Sequence, residues 1–151
     1  LEAHGGRRPA ARFDAGRFYL SSGQTDKGRE MMISAADDFA DEPWQLLGVA
    51  SALVQTGMEP PDQALKDAGI ELLRGLVEDH PDTPTFRHDL AGWLFSTGSS
   101  DEAAEQIVRA AELGASNAVL AQRAAQLLQA AGQQERAQFW MEQARLRAEN
   151  P

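Results

Sequence analysis

Four glycines recur at nearly fixed intervals along this chain: Gly23 in YLSSGQTDKG, Gly57 in ALVQTGMEPP, Gly98 in LFSTGSSDEA and Gly132 in LLQAAGQQERA. Their spacings are 34, 41 and 34 residues, so the middle interval is longer by seven. A period in this range marks stacked supersecondary units, each too small to bury its apolar face alone. Other positions keep the same register. Fourteen residues before the glycines stand Pro9, Pro43, Pro84 and Ala118. Proline suits the first turn of a helix, where its missing N–H is not needed. Seven residues before them stand Gly16, Ala50, Ala91 and Ala125, and four before stand Tyr19, Leu53, Leu94 and Leu128. Each unit therefore opens with a helix of about fourteen residues, with a small and a large apolar position one turn apart on the same face.

The second half of each unit repeats as well. Gly28, Ala103 and Ala137 follow the glycines by five residues, Met32, Ile107 and Met141 by nine, and Ala35, Ala110 and Ala144 by twelve. In the second unit the equivalents are Gly69, Leu73 and Leu76, once seven extra residues are allowed. Seven residues is nearly two helical turns, so the insertion can lengthen a helix without rotating its face. Pro61 is expected in the first turn of that helix and Pro81 just beyond its end. Helices are predicted near residues 9–22, 25–40, 43–56, 61–80, 84–97, 100–114, 117–131 and 134–149. Gly98 and its three equivalents are expected to end the first helices in the left-handed conformation that other residues resist. Asp26, Asp62, Asp101 and Glu135 fall near the starts of the second helices, where negative charge is favourable.

In its small–large–glycine–small–large–small order the chain resembles the tetratricopeptide repeat family, from Pro9 to Pro151. It departs from that family where a bulky residue is usual four positions into the unit: Arg12, Arg87 and Ala121 stand there, and only Leu46 keeps the pattern. The resemblance implies an all-α, right-handed solenoid of four helix–turn–helix repeats near 9–42, 43–83, 84–117 and 118–151; residues 1–8, before the first repeat, read as a loose segment. It also implies a concave groove lined by the first helices. By register the groove residues are Phe13, Arg17, Leu20 and Ser21, then Trp44, Leu47, Ser51 and Gln55, then Thr85, His88, Phe95 and Ser96, and last Gln122, Gln126 and Gln129. Family members that clamp a peptide's terminal carboxylate use Lys and Asn at set positions. Phe13 and Arg17 hold those positions in the first unit, so that clamp is missing. An aromatic and aliphatic end passing into a glutamine-rich end suits an extended peptide or a partner helix. Packing between repeats is the competing role for Phe13, Trp44 and Leu47.

Composition narrows the function classes. With 14 basic and 23 acidic residues the net charge is −9, which argues against phosphate-driven nucleic-acid binding and against anionic membrane surfaces. There is no cysteine, so disulfides, thiolate zinc sites and cysteine nucleophiles are excluded. No apolar run approaches the length of a spanning helix. LEAHGGRRPAARF has no apolar core and does not read as a signal peptide; with no initiator Met it reads as the start of a processed or excised piece. His4, His80 and His88 make no metal-binding pair at helical spacing. Asp37-Asp38 and Asp41-Glu42 lack the spacing and glycine of a calcium loop, and STGSSDE lacks the lysine and preceding strand of a phosphate loop. These observations point away from an enzyme, a metal site and a cofactor, and toward a protein- or peptide-binding module. The alternative is a structural spacer appended to an enzyme, or a self-associating scaffold.

One position breaks the repeat. Glu30, Glu71 and Glu105 occupy the solvent-facing register two residues before Met32, Leu73 and Ile107; the fourth unit has Phe139 there, followed by Trp140. A last helix normally needs a polar outer face. Phe139 with Trp140 is therefore expected to form a contact surface for a second copy or a following segment; the alternative is that the last helix tilts and tucks Trp140 inward.

Overall fold

The computed structural model describes residues 9–149. Among them are eight α-helices and no strand: α1 Pro9–Ser21, α2 Thr25–Ser34, α3 Pro43–Thr56, α4 Gln63–Asp79, α5 Pro84–Ser96, α6 Ser100–Leu113, α7 Ala118–Ala130 and α8 Gln134–Glu149. The expected loose segment over 1–8 lies outside the described residues. The chain divides into two compact units, residues 1–72 and 73–151, and the division falls within α4.

The register read from the sequence positions the helices. Pro43 and Pro84 stand in the first turns of α3 and α5. Where the fourth unit lacks the proline, Asn117 caps α7 instead, its Oδ1 accepting from the N–H groups of Val119 and Leu120 at 3.0 and 3.1 Å. This satisfies two of the helix's otherwise unpaired donors. The ends of α1, α5 and α7 share one device. Gly23, Gly98 and Gly132 have φ of +82, +94 and +77°. In each turn the glycine N–H bonds the carbonyl three residues back, and the next N–H bonds Tyr19, Leu94 or Leu128. These are the paired bonds of a left-handed glycine stop, and their acceptors are the same large apolar residues that the repeat carries.

Gly57 departs from this expectation. Its φ is −74°, an ordinary helical value, and its N–H continues the helix to the Leu53 carbonyl. It is glycine for want of space: a Cβ there would lie 2.8 Å from the Asp62 carbonyl oxygen and 2.9 Å from Lys66 Cγ. The seven-residue insertion also lies elsewhere than expected. Pro61 is in the turn, α4 starts at Gln63, and Asp62 Oδ1 accepts from Leu65 N–H at 3.1 Å, as a helix cap does. The insertion thus widens the turn between α3 and α4 as well as lengthening the helix. The second helix of the first unit is shorter than expected too. α2 ends at Ser34, and Ala35–Phe39 continues as a 3₁₀ helix, a common way to tighten a last turn. Arg12 secures it, donating to the Ser34 carbonyl at 3.0 Å and pairing with Asp38 at 3.2 Å. Arg87, in the same register of α5, bonds Gln106 of α6 at 3.0 Å. The family's missing bulky residue is replaced here by a long cation that ties one helix to the next.

In the first unit, α1 packs on α2, and the core joins Met32, Ala36, Phe39, Val49, Leu53 and Leu65, with Phe13 and Leu20 partly buried against it. The small positions set the helix separation. A Cβ on Gly28 would lie 2.7 Å from the Gly16 carbonyl oxygen, and one on Gly16 would lie 2.8 Å from that of Gly28. Gly69 meets Ala50 of α3 in the same way, at 2.6 Å from its carbonyl oxygen. In the second unit α5 packs on α6, α6 on α7 and α7 on α8. Phe86, Leu90, Leu94, Ile107 and Leu128 fill the core, and the small residues Ala91, Ala103, Ala125 and Ala137 are buried with them. Ion pairs join successive hairpins within each unit: Arg29 with Asp62, Arg74 with Glu102, and Arg136 with Glu105.

Candidate functional site

Of the expected groove residues, the structure gathers two groups. In the first unit, Phe13 and Arg17 of α1 and Gln55 of α3 line a cleft of about 310 Å³ with Ala52, Thr56 and Glu59. On the other side of Arg17 lies a second cleft of about 390 Å³, walled by Leu20, Thr56, Pro60, Pro61 and Leu65, with Ser21, Thr25, Arg29 and Asp62 at its polar side. In the second unit, His88, Phe95 and Ser96 of α5 meet Arg123 and Gln126 of α7 around a cleft of about 320 Å³, floored by Ile107 and Leu127. Volumes of this order suit an inserted side chain or a short peptide segment. Trp44, Leu47, Ser51 and Gln122 line none of these clefts. Trp44 and Gln122 are exposed, while Leu47 and Ser51 are half-buried on α3. Phe13 and Leu20 serve two purposes, since both also pack against the core of the first unit.

The polar walls are held in place. Arg29 donates through Nε to Asp62 Oδ1 and Oδ2 at 3.2 and 3.0 Å and through Nη2 to Oδ2 at 2.8 Å. Such a forked, charge-assisted pair fixes geometry as well as adding energy. The Arg29 hydrogen bond holds the Asp62 carboxyl below its ordinary value, against the opposing pull of burial and with help from the Leu65 N–H. In the second unit His88 Nδ1 lies 3.0 Å from Asp89 Oδ1, and Arg123 donates to Gln126 at 3.2 Å. Both contacts orient side chains of the cleft lining. Among the described residues no group of three His, Asp or Glu side chains comes together to hold a metal ion, and no helix is long and apolar enough to cross a membrane.

Register did not foretell Thr25, Arg29, Pro60, Pro61, Asp62 and Leu65 as cleft residues. The signal that locates them is the insertion itself: EPPD, extra to the repeat, becomes a wall. The surface expected at the end of the chain needs correction. Phe139 is 57 % exposed, but Trp140 is only 6 % exposed. Trp140 turns inward, its ring edge-on to Phe139 at 5.6 Å with the Arg147 guanidinium 5.3 Å from its centre. Arg147 in turn donates to the carbonyls of Ala111 and Gly114, at 2.9 and 3.1 Å, which brings α8 onto the end of α6. Trp140 therefore takes the inward place expected of Met141, and Met141 is 58 % exposed.

Helical hairpins repeating at this period, with small residues at their crossings, define a tetratricopeptide-like all-α repeat. Solved structures carry the same fold. MamA AMB-1 is 24 % identical with a TM-score of 0.56, over 95 % of this chain and 74 % of that one. MamA MSR-1 is 23 % identical with a TM-score of 0.57, over 93 % and 77 %. A chain of the CopN-Scc3 complex is 20 % identical with a TM-score of 0.55, over 71 % and 61 %. MamA is a tetratricopeptide-like protein. No protein-family model and no curated protein sequence matches the chain.

Proposed function

We propose that this chain is a protein-interaction module without catalytic activity, and that it grips extended segments of a partner through the clefts beside its first helices. The observation that carries this reading is the lining of the clefts. In each unit, residues of the odd-numbered helices bring an aromatic or aliphatic wall (Phe13 and Leu20, or Phe95) next to a cation and an amide (Arg17 and Gln55, or Arg123 and Gln126). Apolar anchors flanked by a few fixed polar groups are what peptide recognition uses. The fold agrees with it, since one of the similar structures is a complex of two proteins. The test uses the chain as bait, with Arg17→Glu and Phe95→Ala as separate variants checked for native circular dichroism. Each is expected to lose part of the partner recovered by the parent. Unchanged recovery in both would place the binding surface elsewhere.

A second reading, self-association, has its own observation. Phe139 and Met141 leave two large apolar side chains exposed on α8, and Phe139 stands in a register where the earlier units carry Glu. Sedimentation of the parent against Phe139→Glu tests it: a dimer that becomes a folded monomer supports it, and a monomer in both cases removes it.

A further inference from the structure

The wide turn after Gly57 walls one side of a cleft. The remaining first-to-second helix turns consist of three residues each, between Ser21 and Thr25, Ser96 and Ser100, and Ala130 and Gln134; between α3 and α4 six residues intervene. The extra length brings Pro60 and Pro61 opposite Leu20 and Leu65 to enclose about 390 Å³. Two prolines and a capped helix start make this wall stiff, because proline fixes its own φ and restricts the residue before it.

The charge at the mouth of this cleft is unusual for the molecule. Among the described residues every arginine but one makes a hydrogen bond or ion pair with protein. The exception is Arg17, which lines the cleft and is exposed. Arg29 is already satisfied by Asp62, so the cleft presents two guanidinium groups against one carboxylate, in a chain whose net charge is −9. On the far side of Arg17 the neighbouring cleft contains Glu59, so an incoming carboxylate is favoured on the Leu20 side. An unpaired fork of donors beside an apolar pit matches a carboxylate carried next to an apolar group.

We propose, resting on the reading of the chain as a protein-interaction module, that the cleft under the Gly57–Asp62 turn seats an extended peptide in which an Asp or Glu lies within two residues of a large apolar side chain. The apolar side chain enters between Leu20, Pro61 and Leu65, and the carboxylate accepts from the Arg17 guanidinium. The Arg29–Asp62 pair supports the wall and takes no part in binding.

The test pans a displayed library of random heptapeptides against the full chain and three variants. Arg17→Glu reverses the free cation. Thr25→Trp fills the cleft from an exposed rim position, with Ser21→Trp as a second filling variant should the first not fold. Phe95→Ala alters only the second unit's cleft. The expected result is enrichment, on the parent and on Phe95→Ala, of peptides with an acid within two residues of Leu, Phe, Trp or Met, and its loss on Arg17→Glu and on the filled variant. For a synthetic peptide of the enriched sequence, changing its acid to the amide is expected to weaken binding to the parent about three- to fivefold and to have no effect with Arg17→Ala. Enriched peptides without this pattern, or with equal binding to the filled variant, overturn the proposal. If their binding survives filling but is lost in Phe95→Ala, the interaction-module reading stands and this cleft is not the site. Enrichment of nothing on any of the proteins overturns both.

Discussion

The crossing of α1 over α2 gives the same substitution opposite signs at two glycines of one unit. Gly48 lies exposed on α3, and a Cβ there would meet nothing within 4 Å. Alanine at that position gains helix propensity alone, about 0.5–1 kcal/mol. Gly28 gains the same propensity, but its new Cβ would stand 2.7 Å from both the Gly16 carbonyl oxygen and the Leu20 backbone nitrogen. Backbone cannot swing aside as a side chain can, so the helices must separate and lose the packing of Met32 and Leu20. Overpacking of this kind costs about 1–3 kcal/mol, so the net effect of Gly28→Ala is a loss of about 1–2 kcal/mol. For a chain of this size that lowers Tm by about 2–8 °C. Urea melts followed by circular dichroism measure both variants against the parent. The Gly16→Ala/Gly28→Ala double variant sharpens the test: once the first methyl has parted the helices, the second meets less resistance, and the combined loss falls short of the sum by at least about 0.5 kcal/mol. If Gly28→Ala stabilises the protein as Gly48→Ala does, or if the two losses simply add, the close approach does not exist.

Further expectations come from other parts of the chain. At Gly98, with φ of +94°, Ala costs about 1–2 kcal/mol while Asn, which tolerates the left-handed region, costs less; at Gly57, where space is limiting, Ala costs less than Asn, and chemical denaturation of the four variants checks the reversal. Asp62 titrates below its ordinary value of 3.8 in the folded chain, so its pairing with Arg29 adds stability above that pH that is lost as the pH falls through the lowered value; Asp62→Asn, which can still cap α4, should flatten the fall of Tm below about pH 4. Trp140→Ala removes a buried ring and should cost about 3–5 kcal/mol, whereas Phe139→Glu should melt like the parent; equal damage from both would mean that the two rings share one environment.

Much of the fold can be read directly from the sequence because its determinants are local. Proline at a helix start, a glycine stop two residues before the next helix, and small residues at fixed offsets act over a few residues, and each has one dominant physical meaning. The predicted helices accordingly match α1 to α8 in number and order, with bounds that differ by a few residues. What failed depends on space. Gly57 has the same repeat register as its three counterparts but a different task, since its neighbour Lys66 comes from a helix displaced by the insertion. Periodicity placed Met141 inward, yet the larger Trp140 competes for that place and has Arg147 to hold it there. The clefts were half legible: register named Arg17, Leu20, His88, Phe95 and Gln126, but nothing in a period can tell what an insertion will enclose.

The most direct measurement of the central proposal is site-specific photo-crosslinking with a benzophenone side chain. Placed at Gln55 and at Gln126, both exposed on first helices of their hairpins, it should yield covalent adducts with a bound partner, and peptide mapping of each adduct should return an extended segment. Placed at Glu30 and at Arg109, exposed on second helices, it should yield none. Adducts from the second-helix positions, with none from Gln55 and Gln126, would contradict the account.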